Sequence, residues 1–253
     1  MNGPHVEALY YRFINENPND RFDEAVPLIT TVQDFDIELN GALLTVKPKL
    51  HFSDIDSAKA AIDPILKSWE SAAFLDIGRY RIRFVFKNAK VIDRKPSPGL
   101  NIVLDPVELV VTAETVTVIR GNTKYPAPSL TFRSSELTDE LVDLIKRYHD
   151  GQIPLAAMTN WFETILRREY GNRDRVSKNL FVQKKVLATM GRLSESSDPV
   201  HGRKAKGQGP SQISPNEIRW LEAVAIRLVE RIGEINAGSQ TLSTISMSDF
   251  PQI

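Results

Sequence analysis

The sequence predicts an α+β protein, with an N-terminal mixed or antiparallel sheet domain carrying one or two helices and a C-terminal helical domain of four to five helices. Two observations support this. Apolar and polar residues alternate with a period of two around residues 34–47 and again around 79–87. After Phe132 the apolar spacing changes to the three-and-four pattern of amphipathic helices. We therefore assign the sheet domain to residues 1–133 and the helical domain to residues 134–237.

A β-hairpin is the best-defined element of the first domain. Apolar residues at 35, 37 and 39 alternate with acidic ones, and Asn40-Gly41 supplies the two positive-φ positions of a type I′ turn. A two-residue loop there predicts Phe35 opposite Val46 and Ile37 opposite Leu44 on one face.

Further strands are predicted at residues 8–14, 79–87, 107–112 and 115–120. In the second of these, Arg79, Arg81 and Arg83 share one face. They could bind an anionic ligand, but a solvated face beside acidic residues is the usual arrangement in a half-buried strand. Residues 54–74 form a helical pattern that Pro64 is expected to interrupt or kink.

The last helix has the clearest start in the chain. Ser214-Pro215-Asn216-Glu217 matches a capping box with proline at the first helical position. Gly233 or Gly238 is expected to end this helix. Two further helices are predicted, one ending near Gly151 and one opened by Pro154. Residues 238–253 are expected to form a polar, frayed tail.

The charge of the chain is unevenly distributed, although it sums to zero. Residues 167–206 carry 11 Lys/Arg against 4 Asp/Glu, a balance of +7, whereas residues 1–166 have a balance of −5 and residues 207–253 a balance of −2. The C-terminal part of this basic island lies in a predicted flexible loop, residues 194–213. Such an island is where a polyanion would bind.

Residues 173–193 resemble the spacing of the helix-turn-helix motif. Ser177 supplies the small residue of the first helix. A spaced apolar set would hold the two helices at their angle: Val176, Leu180, Val182, Leu187 and Met190. Phe181 departs from the pattern, because it stands where many such motifs have a turn glycine and would be strained in a left-handed conformation.

The motif assigns roles to nine candidate nucleic-acid-binding residues. Gln183, Lys184 and Lys185 open the second helix, whose start points into the major groove in this motif. Glutamine can read adenine, while lysine binds phosphate or guanine. Thr189 and Arg192 lie further along that helix. The expected phosphate contacts come from the first helix and the loop: Lys178, Arg203, Lys204 and Lys206.

Signatures of catalysis are missing from the sequence. It has no cysteine, its four histidines are not spaced as metal ligands, and HExxH, GxxxxGK[ST], GxGxxG and GxSxG do not occur. Asp54 with Asp56, or Asp105 with Glu108, could hold Mg²⁺, but Asp54 and Asp56 fit better as caps of the helix that begins there. No catalytic residue, metal or cofactor is predicted.

Three functions remain open. The leading hypothesis is a non-enzymatic, cytosolic, nucleic-acid-associated or regulatory protein that binds DNA or RNA through its basic helical segment. The alternative is an interaction or assembly module whose basic island meets an acidic partner protein. A metal-dependent nuclease is the third. The N-terminus lacks the pattern of a secretory signal, and no apolar run approaches the roughly 18 residues of a membrane helix, so neither secretion nor membrane insertion is expected.

Overall fold

The computed structural model describes residues 3–17, 22, 25–76, 80–93, 124–196 and 213–253. The chain divides into two compact units, residues 1–66 with 78–128 and residues 67–77 with 129–253. The predicted α+β class is confirmed, with an antiparallel sheet in the first unit and helices in the second. The second unit takes in residues 67–77, which the sequence had assigned to the sheet domain.

The described part of the first unit contains a five-stranded sheet. Its strands are β1 (Pro4–Asn15), β2 (Leu28–Val32), β3 (Phe35–Asn40), β4 (Leu43–Pro48) and β5 (Ile82–Asp93). They lie in the order β2-β3-β4-β1-β5, and every neighbouring pair is antiparallel. The strand predicted at residues 8–14 is confirmed. Those predicted at 107–112 and 115–120 lie outside the described residues.

The β3–β4 hairpin is confirmed, but its predicted register and turn are wrong. Ile37 pairs with Val46 rather than with Leu44, a shift of two residues along β4. The turn residues are Gly41 and Ala42, and Gly41 has a φ of 56° at the first central position, where a type II′ turn requires glycine. A shift of two residues keeps each side chain on its predicted face, so Ile37 and Val46 are buried as expected.

Helix α1 (Ile55–Leu75) begins in the first unit and ends in the second. The predicted capping role of Asp54 is confirmed, because its Oδ1 accepts a hydrogen bond of 2.7 Å from the backbone N–H of Ser57. The hydroxyl of Tyr11 on β1 donates to Asp63 Oδ1 at 2.7 Å and ties the helix to the sheet. Of the interruption or kink expected at Pro64, the interruption does not occur, because the helix continues through this residue.

The described arginines of β5 and its approach do not form a free cationic ladder. Arg83 Nε lies 3.2 Å from Glu16 Oε1, with both side chains about half exposed. The carbonyl of Arg81 accepts a hydrogen bond from the backbone of Glu16. Arg79 lies outside the described residues. The solvated face beside an acidic residue is therefore the arrangement found for Arg83.

Five helices follow in the described part of the second unit, which matches the predicted four to five. They are α2 (Glu136–His149), α3 (Leu155–Tyr170), α4 (Arg173–Asn179), α5 (Lys184–Ser196) and α6 (Pro215–Asn236). The capping box of α6 is confirmed, since Ser214 and Glu217 exchange side-chain and backbone hydrogen bonds. Residues 194–196 belong to α5 rather than to the predicted loop, whose residues 197–212 lie outside the described residues.

One apolar core holds these helices together. It contains the fully buried side chains of Leu141, Phe162 and Trp220, among others. Among the described glycines, Gly233 has the least room, because an added Cβ there would lie 2.1 Å from Cδ2 of Phe132. Glycine at this position lets the buried Phe132 ring lie directly against the backbone of α6.

The C-terminal segment corrects another expectation, because it is not a frayed tail. Ile245 is 1% exposed and Phe250 is 9% exposed, and both belong to the core of the second unit. The Phe250 ring packs edge-on against Trp220, with 5.8 Å between centroids. These two apolar side chains anchor a segment whose overall composition is polar.

Candidate nucleic-acid interface

Helices α4 and α5 are joined by a four-residue turn, Leu180–Gln183. Phe181 has a φ of 51°, so it occupies the left-handed conformation that its position in the motif required. Ser177, the small residue of the first helix, fixes this turn, because its hydroxyl donates to the Val182 carbonyl at 2.6 Å. The backbone N–H of Val182 in turn donates to the Ser177 carbonyl at 3.0 Å. The turn between α4 and α5 is therefore left-handed at Phe181 and is closed by Ser177.

The apolar residues of the segment lie in the core of the second unit. All five members of the predicted set are at most 2% exposed: Val176, Leu180, Val182, Leu187 and Met190. Helices α4 and α5 both pack on α3. Gly191 of α5 faces the Arg173–Glu163 ion pair, since an added Cβ would lie 2.4 Å from Nη2 of Arg173 and 2.6 Å from Oε1 of Glu163.

A buried arginine on α6 supports the turn. Arg231 is fully buried, and its guanidinium donates to the Leu180 carbonyl at 3.1 Å, to the Ser243 carbonyl at 2.8 Å and to Glu234 at 2.8 Å. The burial of a charged group is stable only when it is paired and hydrogen-bonded, and Arg231 satisfies both conditions. The first of its carbonyl partners begins the turn and the second belongs to the C-terminal segment.

The C-terminal segment also binds the turn directly. Ile245 N–H donates to the Phe181 carbonyl at 2.7 Å, and Gln183 N–H donates to the Ile245 carbonyl at 2.8 Å. These bonds form a parallel β-bridge between Val182 and Ile245. The turn is therefore held on one side by Ser177 and on the other by Arg231 and the C-terminal segment. Neither Arg231 nor Ile245 belongs to a motif that the sequence shows.

Three of the four predicted binding residues of α5 share one exposed face. Lys184, Lys185 and Arg192 are all exposed, and so is Ala188 between them. At 3.6 residues per turn these four positions span a sector of about 100°. Thr189 lies half-buried at the edge of this sector, while the opposite side of the helix is buried. We call Lys184, Lys185, Ala188 and Arg192 the basic face of α5. Gln183 and Lys178, just before α5 and at the end of α4, are also exposed.

Two carboxylates reduce the charge of this face without cancelling it. Lys184 Nζ lies 3.0 Å from Asp174 Oδ1, but both side chains are about two-thirds exposed, so water and salt screen the pair. The pKa of Glu217 is lowered, chiefly because the backbone N–H of Ser214 donates to its carboxylate; the nearby positive charge of Arg192 makes a smaller contribution. Within the described part of the chain, Lys178 and Lys185 have no ion-pair partner.

Three arginines of the basic island that lie outside α5 form ion pairs. Arg167 and Arg173 both contact the carboxylate of Glu163, at 2.5 Å and 3.1 Å. Arg168 pairs with Glu140. The three loop residues expected to add phosphate contacts, Arg203, Lys204 and Lys206, lie outside the described residues. Among the described residues of the island, exposed positive charge remains on α4, at Arg175 and Lys178, and on α5.

Two histidines that the sequence did not connect lie together in the first unit. The rings of His5 and His51 are stacked, and their Nδ1 atoms are 3.1 Å apart. They are 46 positions apart in the chain, so no spacing motif could have paired them. No third histidine, cysteine or carboxylate completes a metal-binding group here or elsewhere among the residues that the structure describes.

Comparisons with known proteins do not identify a function for this chain. No family model matches the chain, and neither the curated proteins nor the solved structures include a detectable match. Across the described ranges, each helix is too short or too polar to cross a membrane.

Proposed function

We propose that the second unit binds double-stranded DNA through α5, with the basic face of this helix in the major groove. The observation that carries the proposal is that Lys184, Lys185 and Arg192 share one exposed face on a helix whose opposite side is buried. The left-handed turn before α5 and the packing of α4 and α5 on α3 fit a helix-turn-helix. The proposal concerns binding alone and assigns no reaction.

The shape of the face favours duplex DNA over duplex RNA. The major groove of B-form DNA is wide enough to admit an α-helix, whereas that of A-form RNA is too deep and narrow for side chains to read. Gln183 and the two lysines stand at the N-terminal end of α5, where this motif contacts base edges. Lys178, on α4, is placed to contact a phosphate beside the groove.

The charge of the segment sets the expected salt dependence. If Lys178, Lys184, Lys185 and Arg192 each neutralise one phosphate, the logarithm of the binding constant should fall with the logarithm of salt concentration with a slope of about −3.6. The measurement is fluorescence anisotropy of a labelled duplex, titrated with the full chain at several salt concentrations.

Charge reversal tests which surface binds. The double variant Lys184→Glu/Lys185→Glu should lose binding at low salt while keeping its helical circular dichroism spectrum, because both side chains are exposed. A matched control, Lys87→Glu/Lys124→Glu, changes the net charge by the same amount on exposed lysines of the first unit and should bind like the unaltered protein. Replacing Gln183 with alanine should relax sequence preference with a smaller loss of affinity.

Two results would reject DNA binding by α5: no binding at tens of micromolar protein and low salt, or equal losses in both double variants. An acidic protein partner would then explain the basic face better. The acidic surface of such a partner could bind the same cations without a groove that admits the helix. A regulatory role in the cytosol belongs to the same proposal and depends on the binding experiment.

A further inference from the structure

Phe181 combines a strained backbone with an exposed aromatic ring. Its φ of 51° lies in the left-handed region, which disfavours residues with a Cβ and bulky side chains in particular. Nearly half of the residue, 47%, is exposed. Strained backbone conformations of this kind cluster at functional sites.

The fold requires the backbone conformation but not the ring. The Phe181 carbonyl accepts a hydrogen bond from Ile245, and the flanking residues Leu180 and Val182 are bound by Arg231 and Ser177. Glycine at position 181 could make the same backbone hydrogen bonds with less strain. The exposed part of the Phe181 ring therefore contributes nothing to these bonds, and a contact outside the chain would account for it.

A second apolar group lies on the same binding segment. Ala188 is exposed in the middle of the basic face, with Lys184 four residues before it and Arg192 four residues after it. If α5 enters the groove, Lys184 and Arg192 would contact phosphates, and Ala188, which lies between them, would face the base pairs. Phe181 precedes Lys184 by three residues, so it lies just before the N-terminal end of α5. In this motif that end of the second helix contacts the base edges.

We propose that Phe181 and Ala188 contact the 5-methyl groups of thymine. The thymine methyl is the apolar group that base pairs present in the major groove, and phenylalanine and alanine are among the side chains that contact it. The inference rests on the proposed binding of DNA by α5 and adds a specificity to it: the protein prefers duplexes that carry thymine methyls along the groove, with Phe181 making the larger apolar contact.

The test removes the methyl groups without changing base pairing. The full chain is titrated by fluorescence anisotropy with two short duplexes of A·T pairs that differ only in carrying thymine or uracil. The unaltered protein should bind the thymine duplex about three- to fivefold more tightly for each methyl group buried. The Phe181→Gly variant should lose most of this preference, and Phe181→Asn should behave alike, because asparagine tolerates the left-handed conformation and also lacks the ring.

Thermal unfolding, followed by tryptophan fluorescence, is measured on the same variants. Phe181→Gly should unfold at a temperature equal to or above that of the unaltered protein, since the strain is relieved. A marked fall in both variants would make Phe181 a packing residue and overturn the inference. Equal binding of the thymine and uracil duplexes would overturn it while leaving DNA binding in place. A protein that binds neither duplex would refute the proposed function itself.

Discussion

Replacing Arg231 with methionine should destabilise the second unit by about 3–5 kcal/mol, the range for breaking a buried charged interaction. Methionine keeps most of the side-chain volume but removes every donor. The carbonyls of Leu180 and Ser243 lose their charged partner, each such bond contributing about 1.5–3 kcal/mol. Glu234 keeps a partner in Arg227, at 2.7 Å, which limits the further loss.

Tryptophan fluorescence isolates this effect, because all three tryptophans of the chain, Trp69, Trp161 and Trp220, belong to the second unit. Urea denaturation followed by this signal should show the transition of the variant shifted to lower urea by about 2 M, taking a typical slope of roughly 2 kcal/mol per M. The turn before α5 loses a support at the same time, so affinity for duplex DNA should fall as well.

The control is Arg219→Met on the same helix. Arg219 is exposed, so its replacement should change the free energy of unfolding by no more than about 0.5 kcal/mol. If Arg231→Met cost less than about 1 kcal/mol, or no more than the control, the argument that a buried guanidinium holds the turn and the C-terminal segment would be refuted.

Three further predictions test the packing, the acid response and the charge of the second unit. Gly233→Ala should lower the free energy of unfolding by about 1–2 kcal/mol in urea, because displacing the Phe132 ring outweighs the better helix propensity of alanine; an unchanged or raised stability would contradict this. Glu217→Gln should destabilise at neutral pH. Folding lowers the pKa of Glu217, so the stabilisation by its carboxylate is present above the unfolded pKa and is lost as the pH falls through the folded pKa. The thermal unfolding temperatures of the two proteins should therefore converge below roughly pH 4. A difference that stays constant with pH would argue against the capping role. Asp174→Asn should tighten duplex binding by a few fold at low salt and change stability little, since it removes a screened carboxylate beside Lys184; weaker binding would count against the basic face as the binding surface.

The sequence predicted elements well where the signal is local. The capping box at Ser214 and the cap at Asp54 depend on residues within three positions of one another. The hairpin shows where local signals stop. A period of two fixes which face is buried, but a shift of two residues preserves that face, so the choice between Asn40-Gly41 and Gly41-Ala42 as turn residues depended on turn geometry alone.

The candidate site was predicted in part for the same reason. The exposed cations of α5 follow from helical periodicity, and the strain at Phe181 follows from its place in a short turn. Arg231 could not be found this way, because its carbonyl partners are 51 and 12 residues distant. Its neighbours Leu228 and Ile232 mark the buried side of α6, yet nothing local indicates that an arginine there turns inward.

The support of the turn explains how a helix as short as α4 keeps its place beside α5, which carries the basic face. Seven residues, the length of α4, are too few for a stable helix in isolation, so its geometry must come from tertiary contacts. Ser177, Arg231 and Ile245 supply these contacts within the turn itself. If α5 binds DNA as proposed, a face fixed in this way would lose little conformational freedom on binding, so ordering the face would reduce the affinity little. Weakening any of the three supports should therefore reduce affinity for DNA even though none of them lies on the basic face.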